Sequence, residues 1–179
     1  MNQTNFINRK NFIAGILAFG VFVALATLTP SFADAQMDKV KVSMAALKAK
    51  TAKMGPPKIE GQAPTGGKSV PALYFGKTKM NNFVDVVDEV VKENGGTATL
   101  FVKAGDEYVR AATNMKKDDG SRATGTILDP TGPVITMIKK GEAYYGEATI
   151  LGKPYVTGYE PIKNATGKVV GIYYVGYAK

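Results

Sequence analysis

The sequence predicts an α+β fold in which helices come first and an antiparallel sheet follows. Residues 37–54 and 81–93 carry apolar residues at helical spacing. After residue 96 the chain changes to short runs rich in β-branched and aromatic residues. Glycine-containing turns join these runs, which favours antiparallel neighbours. This order is typical of a domain whose helices cover one side of an antiparallel sheet.

The first 35 residues have the pattern of a secretory signal peptide. Arg9 and Lys10 precede an uncharged apolar run over residues 12–28, and Ala33-Asp34-Ala35 places small residues where a signal peptidase reads them. We therefore predict cleavage before Gln36 and a periplasmic or secreted protein. The alternative is an uncleaved helix that anchors the chain in the inner membrane, because the apolar run is near the lower length limit for a bilayer span.

The composition argues against an enzyme. The chain contains no cysteine and no histidine, so disulfides, thiolate chemistry and the commonest catalytic base and metal ligand are excluded. The serines after residue 35 are Ser43, Ser69 and Ser121, and none lies in a G-x-S-x-G motif. We predict a binding protein with no catalytic residues, no cofactor and no metal site.

The charge of the chain does not indicate a nucleic-acid-binding protein. Removing the predicted signal peptide takes away Arg9, Lys10 and Asp34, which leaves 21 basic and 14 acidic residues and a net charge of +7. The lysines are scattered, without a run of five or more basic residues. We interpret the charge as favouring solubility and anionic ligands.

The predicted helix over residues 37–54 has an apolar seam at alternating spacings of three and four residues. Two interpretations remain open, since the seam could pack on the helix's own domain or against a second copy in a homodimer. The seam consists of Met37, Val40, Met44, Leu47, Thr51 and Met54.

Between the two predicted helices, residues 55–71 are rich in glycine and proline and predict a loop. The GGKS in this segment is not a phosphate-binding loop, because Gly61 lies one residue too early. In the second helix, over residues 81–93, we expect Asn82 to cap the start and Gly95-Gly96 to close the end.

The rest of the chain predicts five strands with a short helix inserted between the second and the third. The helix covers residues 133–140, after a less regular extended run over 122–128. The last three strands form a natural antiparallel meander. The predicted strands are 97–103, 107–113, 143–151, 154–162 and 168–177.

Five short motifs follow one another over residues 110–176, within a resemblance that covers about residues 80–178. They are R-x-x-T from Arg110, DG-x-R-x-x-GT over Asp119–Thr126, G-x-x-Y-x-G from Gly141, Y-x-x-x-Y-x-PI from Tyr155, and G-x-x-x-G-x-x-Y-V-G from Gly167. In this order and spacing they resemble the Cache sensor domains of bacterial chemoreceptors and histidine kinases. The resemblance is to the single-domain variety in which Cache-three and Cache-two are fused.

The resemblance implies a PAS-like fold, with a long N-terminal helix and a small-molecule ligand between the five-stranded sheet and the loops above it. It divides the chain into a signal peptide (1–35), a helix with a Gly/Pro-rich linker (36–79) and a ligand-binding domain (80–179). Family ligands are commonly small carboxylates, sometimes amines or amino acids. Receptors continue into a second membrane helix and a transmitter, and we expect this domain to stand alone.

These observations predict an exported Cache protein that binds a small carboxylate in sensing, or presents it to a membrane receptor or transporter. The alternative is a module of the same fold that binds no ligand and dimerises through residues 37–54.

Arg110 is the first candidate for the ligand site. The alternation of side chains along a strand predicts that Tyr108, Arg110 and Ala112 share one face. If this face lines the ligand site, the Arg110 guanidinium would donate two hydrogen bonds to a carboxylate. The competing interpretation is a solvated arginine or a structural ion pair with an aspartate at 106, 118 or 119.

Tyr155, Thr157 and Tyr159 are predicted to share one face of a later strand, where phenols and a hydroxyl would bond an anion. Ordinary half-buried sheet residues are the alternative. Asp118-Asp119-Gly120 is interpreted as a turn, because the spacing of a calcium loop is missing. The predicted ligand-binding residues are Arg110, Thr113, Thr126, Tyr144, Tyr155 and Tyr159.

Overall fold

The computed structural model describes Met1 and residues 32–179. The described residues form three helices and eight strands in two antiparallel sheets. The helices are α1 (Phe32–Met54), α2 (Asp85–Asn94) and α3 (Gly132–Lys139). The strands are β1 (Pro57–Thr65), β2 (Lys68–Phe75), β3 (Thr78–Lys79), β4 (Thr97–Ala104), β5 (Glu107–Thr113), β6 (Tyr144–Ile150), β7 (Lys153–Lys163) and β8 (Val169–Ala178).

The larger sheet has five strands in the order β5-β4-β8-β7-β6, all antiparallel. Its strands are the five predicted ones, so the α+β, PAS-like prediction is confirmed. Helices α1 and α2 cover one face, and α3 lies on the other. Between β5 and α3, residues 122–128 form no regular strand. They are bonded to β5 by an isolated bridge of Val109 with Ile127 and by backbone hydrogen bonds such as the Arg110 amide to the Thr126 carbonyl at 2.9 Å.

The apolar seam of α1 packs inside the chain. Val40, Met44, Leu47 and Thr51 are at most 1% exposed. The three apolar members of this group belong to one core cluster with sheet residues such as Val175. Of the two interpretations of this helix, packing on its own domain is therefore correct. The buried part of the seam is therefore not available at the surface to a second copy, and a homodimer through other residues of 37–54 stays a prediction.

The predicted start of the second helix is wrong. α2 begins at Asp85, and its capping position, Val84, makes no side-chain hydrogen bond. Asn82 lies before the helix in a left-handed conformation, with φ 64°. Its side-chain amide donates to the carbonyl of Pro64 at 2.7 Å, so Asn82 joins the small sheet instead of capping the helix.

The predicted loop over residues 55–71 is also wrong, because most of this segment forms β1 and part of β2. β1 is an edge strand of the three-stranded sheet, a position where strand prolines are tolerated. Gly61 falls where the pairing shifts register. Buried Asn81 ties the sheet together, accepting from the Leu73 amide at 2.9 Å and donating to Thr65 Oγ1 at 2.9 Å.

A polar link joins α1 to the sheet through Glu160 on β7. Its carboxylate accepts hydrogen bonds from Lys48 Nζ and from the Tyr145 hydroxyl, each at 2.5 Å. Burial raises the pKa of Glu160, but the bonds from Lys48 and Tyr145 together outweigh burial, and the pKa falls below its ordinary value of 4.5. The link is therefore strongest when Glu160 is ionised.

The contribution of this link to stability should depend on pH. The pKa of Glu160 is lower in the folded than in the unfolded protein, so its contribution is present above about pH 4.5 and lost as the pH falls through the folded value. Glu160→Gln should lower the free energy of unfolding by about 1 kcal/mol at neutral pH. Urea denaturation at neutral pH and near pH 3 would measure both values.

A matched control is Glu60→Gln, because Glu60 pairs with Lys58 at an exposed position. This change should cost less than about 0.5 kcal/mol at neutral pH. An effect of Glu160→Gln that stays the same in acid would contradict the ionic link.

Candidate functional site

A cavity of about 560 Å³ opens on the face of the large sheet opposite α1. Arg110 and Tyr159 line it from the sheet. Residues 127–129 and 131–134 line it from the segment that leads into α3, and residues 147–151 from the end of β6. The cavity therefore lies between the sheet and the connections above it, where the resemblance to Cache domains placed a ligand.

A β-bulge in β5 decides which side chains face this cavity. Leu100 on β4 pairs with Ala112, but the next residue, Phe101, pairs with Arg110, so Ala111 is an extra residue. Ala111 and Ala112 both lie in the helix-side core. The prediction that Ala112 shares the face of Arg110 is wrong. The alternation of side chains between the two faces of β5 is interrupted at the bulge. Arg110 and Thr113 therefore lie on the same face although they are three residues apart.

The Arg110 side chain is only 4% exposed, yet it has few partners. Nη1 donates to Thr126 Oγ1 at 2.8 Å and, weakly, to the Ile127 carbonyl at 3.5 Å. Nε is buried without a hydrogen bond, and Nη2 has none within the described residues. The guanidinium carbon lies 4.9 Å from the centre of the Phe101 ring. One edge of the guanidinium, Nε with Nη2, is thus unoccupied.

Arg110 forms no ion pair with any carboxylate in the described part of the chain. The competing interpretation, a solvated or ion-paired arginine, is therefore wrong. Burial lowers the pKa of Arg110, while the nearby phenols of Tyr159 and Tyr174 act in the opposite direction. A buried charge without a counter-ion is costly, so Arg110 would gain from an anion placed at its unoccupied edge.

Tyr159 is the second candidate that lines the cavity. It is 2% exposed, its ring centre lies 4.9 Å from that of Tyr174, and its hydroxyl has no hydrogen-bond partner among the described residues. Burial raises the pKa of Tyr159, and Arg110 only partly offsets this effect. The phenol is therefore a neutral donor beside a cation.

Two other predicted residues support these side chains. Thr126 accepts the bond from Arg110 and donates its own proton to the Ala123 carbonyl at 2.7 Å. The ring of Tyr144 lies 6.3 Å from that of Tyr159, and its hydroxyl donates to the Glu147 carbonyl at 2.7 Å. Both hydroxyls are already engaged.

Like Thr126 and Tyr144, the remaining predicted residues lie outside the lining of the cavity. Thr113 shares a 2.6 Å hydrogen bond with Thr99. Tyr155 packs at the margin of the core cluster on this face. Thr157 lies on the same strand, and its hydroxyl donates to the Gly146 carbonyl at 2.7 Å. Direct ligand contact by Thr113, Thr126, Tyr144 and Tyr155 stays a prediction, as it does for Arg110 and Tyr159.

The sequence analysis missed the N-terminal end of α3 and two carboxylates, Asp129 and Glu147, which also line the cavity. Asp129 accepts from the amide and the hydroxyl of Thr131 at 2.8 and 2.7 Å and so closes a turn before the helix. The positive end of the helix dipole lies at this wall. Pro133 at the start of a helical pattern was the available signal.

The structure describes neither the predicted signal peptide core nor its basic start, since residues 2–31 lie outside the described residues. None of the helices that it does describe combines the length and apolar character needed to span a bilayer. Within the same residues, no group of three or more acidic side chains is placed to hold a metal ion.

Comparison with protein families supports the resemblance. The Cache 3/Cache 2 fusion domain matches residues 21–179. The chain belongs to this family. The match begins well before residue 80, so this Cache domain includes α1 and the small sheet that the sequence analysis treated as a linker. A search of curated proteins found no match.

Proposed function

We propose that this Cache domain binds a small organic carboxylate in the 560 Å³ cavity. The observation that carries the proposal is Arg110, a buried guanidinium with an unoccupied edge and no counter-ion in the described part of the chain. Cache domains are sensor domains that often bind small molecules. Ligand binding is therefore common in this family, and the free edge of Arg110 supports an anionic ligand for this member.

A carboxylate suits the free edge of Arg110 better than other anions of similar size. Its two oxygens match the parallel N–H groups of Nε and Nη2, which gives two charge-assisted hydrogen bonds. The Tyr159 hydroxyl would add a third donor. The N-terminal end of α3 would contribute a favourable dipole from the opposite wall. Of the two carboxylates in the lining, Glu147 is paired with Lys179 at 2.6 Å, while Asp129 would repel a second carboxylate, so a ligand with a single acidic group is favoured.

The competing function is a structural module of the same fold that binds no ligand. In such a module no ligand would offset the free-energy cost of the buried, unpaired Arg110 charge. The seam proposed for dimerisation is also largely buried in the core. Both observations favour the ligand-binding function. The absence of histidine and cysteine supports a role without catalysis.

We place this binding outside the cytoplasm. The signal-peptide pattern over residues 1–35 and the usual extracellular position of Cache domains support an exported, periplasmic protein. There the loaded domain would report a metabolite in a chemosensory, signal-transducing pathway or deliver it to a membrane receptor or transporter.

The test is a thermal-shift panel of small carboxylates beside their uncharged amides and amines of the same size. A carboxylate at about 100 times its Kd would stabilise the fold by about 2.7 kcal/mol, a shift of several degrees in Tm. The matching amides should give no shift. The proposal fails if no carboxylate raises Tm, or if amides raise Tm equally.

Tyr159→Phe should weaken carboxylate binding by roughly fivefold to tenfold, because it removes one hydrogen bond to a charged acceptor. The ligand-free protein should keep its stability within about 0.5 kcal/mol, since the hydroxyl has no partner to lose. Calorimetric titration and urea denaturation would measure the two effects.

The matched control is Tyr174→Phe. Its hydroxyl shares a 2.9 Å hydrogen bond with Thr97 and does not line the cavity. This change should lower stability and leave the affinity unchanged. The reverse pattern, with Tyr174→Phe weakening binding and Tyr159→Phe not, would contradict the role of Tyr159.

A further inference from the structure

A second cavity, of about 500 Å³, lies at the other end of α3. Lys139 lines it from the end of that helix, Lys103 and Tyr108 from the β4–β5 hairpin, and Lys168 from the turn before β8. The proposed carboxylate site shares none of these residues. Tyr108 and Arg110 are two residues apart on β5, so the same strand contributes one polar side chain to each cavity.

The charges around the second cavity are unbalanced. Lys103, Lys139 and Lys168 form no ion pairs within the described residues. Asp106 is the acidic residue in the lining, which leaves a local formal charge of about +2. Several other lysines do have carboxylate partners, such as Lys50 with Glu93 at 2.8 Å. A cavity with this surplus favours an anion that carries two negative charges.

Tyr108 supplies the independent evidence for a ligand. Its side chain is 2% exposed, and its hydroxyl makes no hydrogen bond in the described part of the chain. The ring lies under the ammonium group of Lys103, 5.9 Å from the ring centre. Burial raises the pKa of Tyr108, so the phenol remains a donor. Tyr108 lines the cavity, so its free hydroxyl is available as a hydrogen-bond donor to an anion bound there.

We propose that the second cavity binds the phosphate group of a small molecule. A phosphate carries nearly two negative charges and presents oxygens in several directions, which suits a cavity lined by lysines from three parts of the chain. The forked geometry that selects a planar carboxylate is missing, because no arginine lines this cavity. The volume has room for a group larger than inorganic phosphate. This site is independent of the proposed carboxylate site.

Calorimetric titration of the purified full chain with pyrophosphate tests the proposal. One equivalent should bind, with an affinity that falls steeply as salt is added. Tyr108→Phe should weaken binding by roughly fivefold, and Lys139→Met or Lys168→Met by roughly tenfold each. Tyr108→Phe should leave the stability of the free protein unchanged, because its hydroxyl has no partner in the fold.

Three controls decide the result. Lys77→Met removes the same charge from an exposed position outside the cavity and should leave binding unchanged. Arg110→Met should do the same, since Arg110 belongs to the first cavity. Succinate should compete poorly. The proposal is overturned if pyrophosphate does not bind at millimolar concentration, if Tyr108→Phe binds it as tightly as the unaltered protein, or if any control behaves contrary to expectation.

Discussion

Arg110→Met should strongly weaken carboxylate binding and at the same time make the ligand-free protein more stable. The substitution removes a buried charge that has no counter-ion among the described residues and replaces it with an apolar side chain of similar length. Replacing a buried ionic group in this way is often neutral or stabilising. The opposite signs of the two effects distinguish a binding residue from a structural one.

The expected sizes follow from the contacts of Arg110. Loss of two charge-assisted hydrogen bonds to the ligand should weaken binding by roughly 100-fold or more. The free energy of unfolding should rise by about 1 kcal/mol. Thr126 loses one bond, but its hydroxyl keeps the Ala123 carbonyl at 2.7 Å. Titration and urea denaturation of the same preparation would measure both effects.

Arg122→Met is the matched control, because Arg122 is bonded to both carboxylate oxygens of Asp88 at 2.8 and 2.7 Å. This pair is more than a third exposed, so its loss should cost no more than about 1 kcal/mol. Carboxylate affinity should not change. Arg110 would be structural if Arg110→Met lowered stability and left the affinity intact.

Gly125→Ala should be the most destabilising of these changes, because two glycines allow the small sheet to meet the segment that holds Thr126. Gly125 has a φ of 82°, and an added Cβ would lie 2.7 Å from the Cα of Gly66. Neither backbone can move aside without breaking pairings, such as the Gly125 amide with the Arg110 carbonyl at 2.9 Å. We expect a loss of about 3 kcal/mol in the free energy of unfolding.

Gly120→Ala is the control that separates the two causes of the destabilisation expected for Gly125→Ala, namely the strained backbone conformation and the steric clash. Gly120 has a similar φ of 79°, but an added Cβ would meet nothing within 4 Å. Gly120→Ala should therefore lower the free energy of unfolding by about 1 kcal/mol. Urea denaturation of both variants gives the difference directly, and equal losses would show that the close contact with Gly66 carries no energy. Gly125→Ala should also weaken carboxylate binding, since it displaces Thr126 beneath Arg110.

Local patterns predicted the elements whose cause is itself local. The strands of the large sheet follow from runs of β-branched and aromatic residues between glycine turns, and α3 lies close to its predicted bounds. The strands β1 and β2 were missed because proline and glycine are rare in strands, and only pairing with a neighbour reveals that β1 is an edge. The bulge at Ala111 was missed for the same reason.

Some residues of the candidate site were likewise predicted from the sequence, and others were not. Arg110, Thr126 and Tyr159 were predicted, and the fold brings them together. Asp129 and the N-terminal end of α3 were missed, because only the folded chain brings them to the wall that faces the sheet across the cavity. Tyr108 is another such case, since its missing hydrogen bond is visible only when every neighbour is in place.

The sequence by itself determined the α+β class, the lack of histidine and cysteine chemistry, and the family, because composition and short-range spacing suffice for each. Only the tertiary structure decided that the α1 seam lies in the core and that Arg110 is buried without a counter-ion. The burial of a side chain and its pairing with other groups both depend on residues that are far apart in the sequence. Arg110 contacts Thr126, faces a cavity shared with Tyr159, and meets no carboxylate in the described residues, and none of these facts is encoded near position 110.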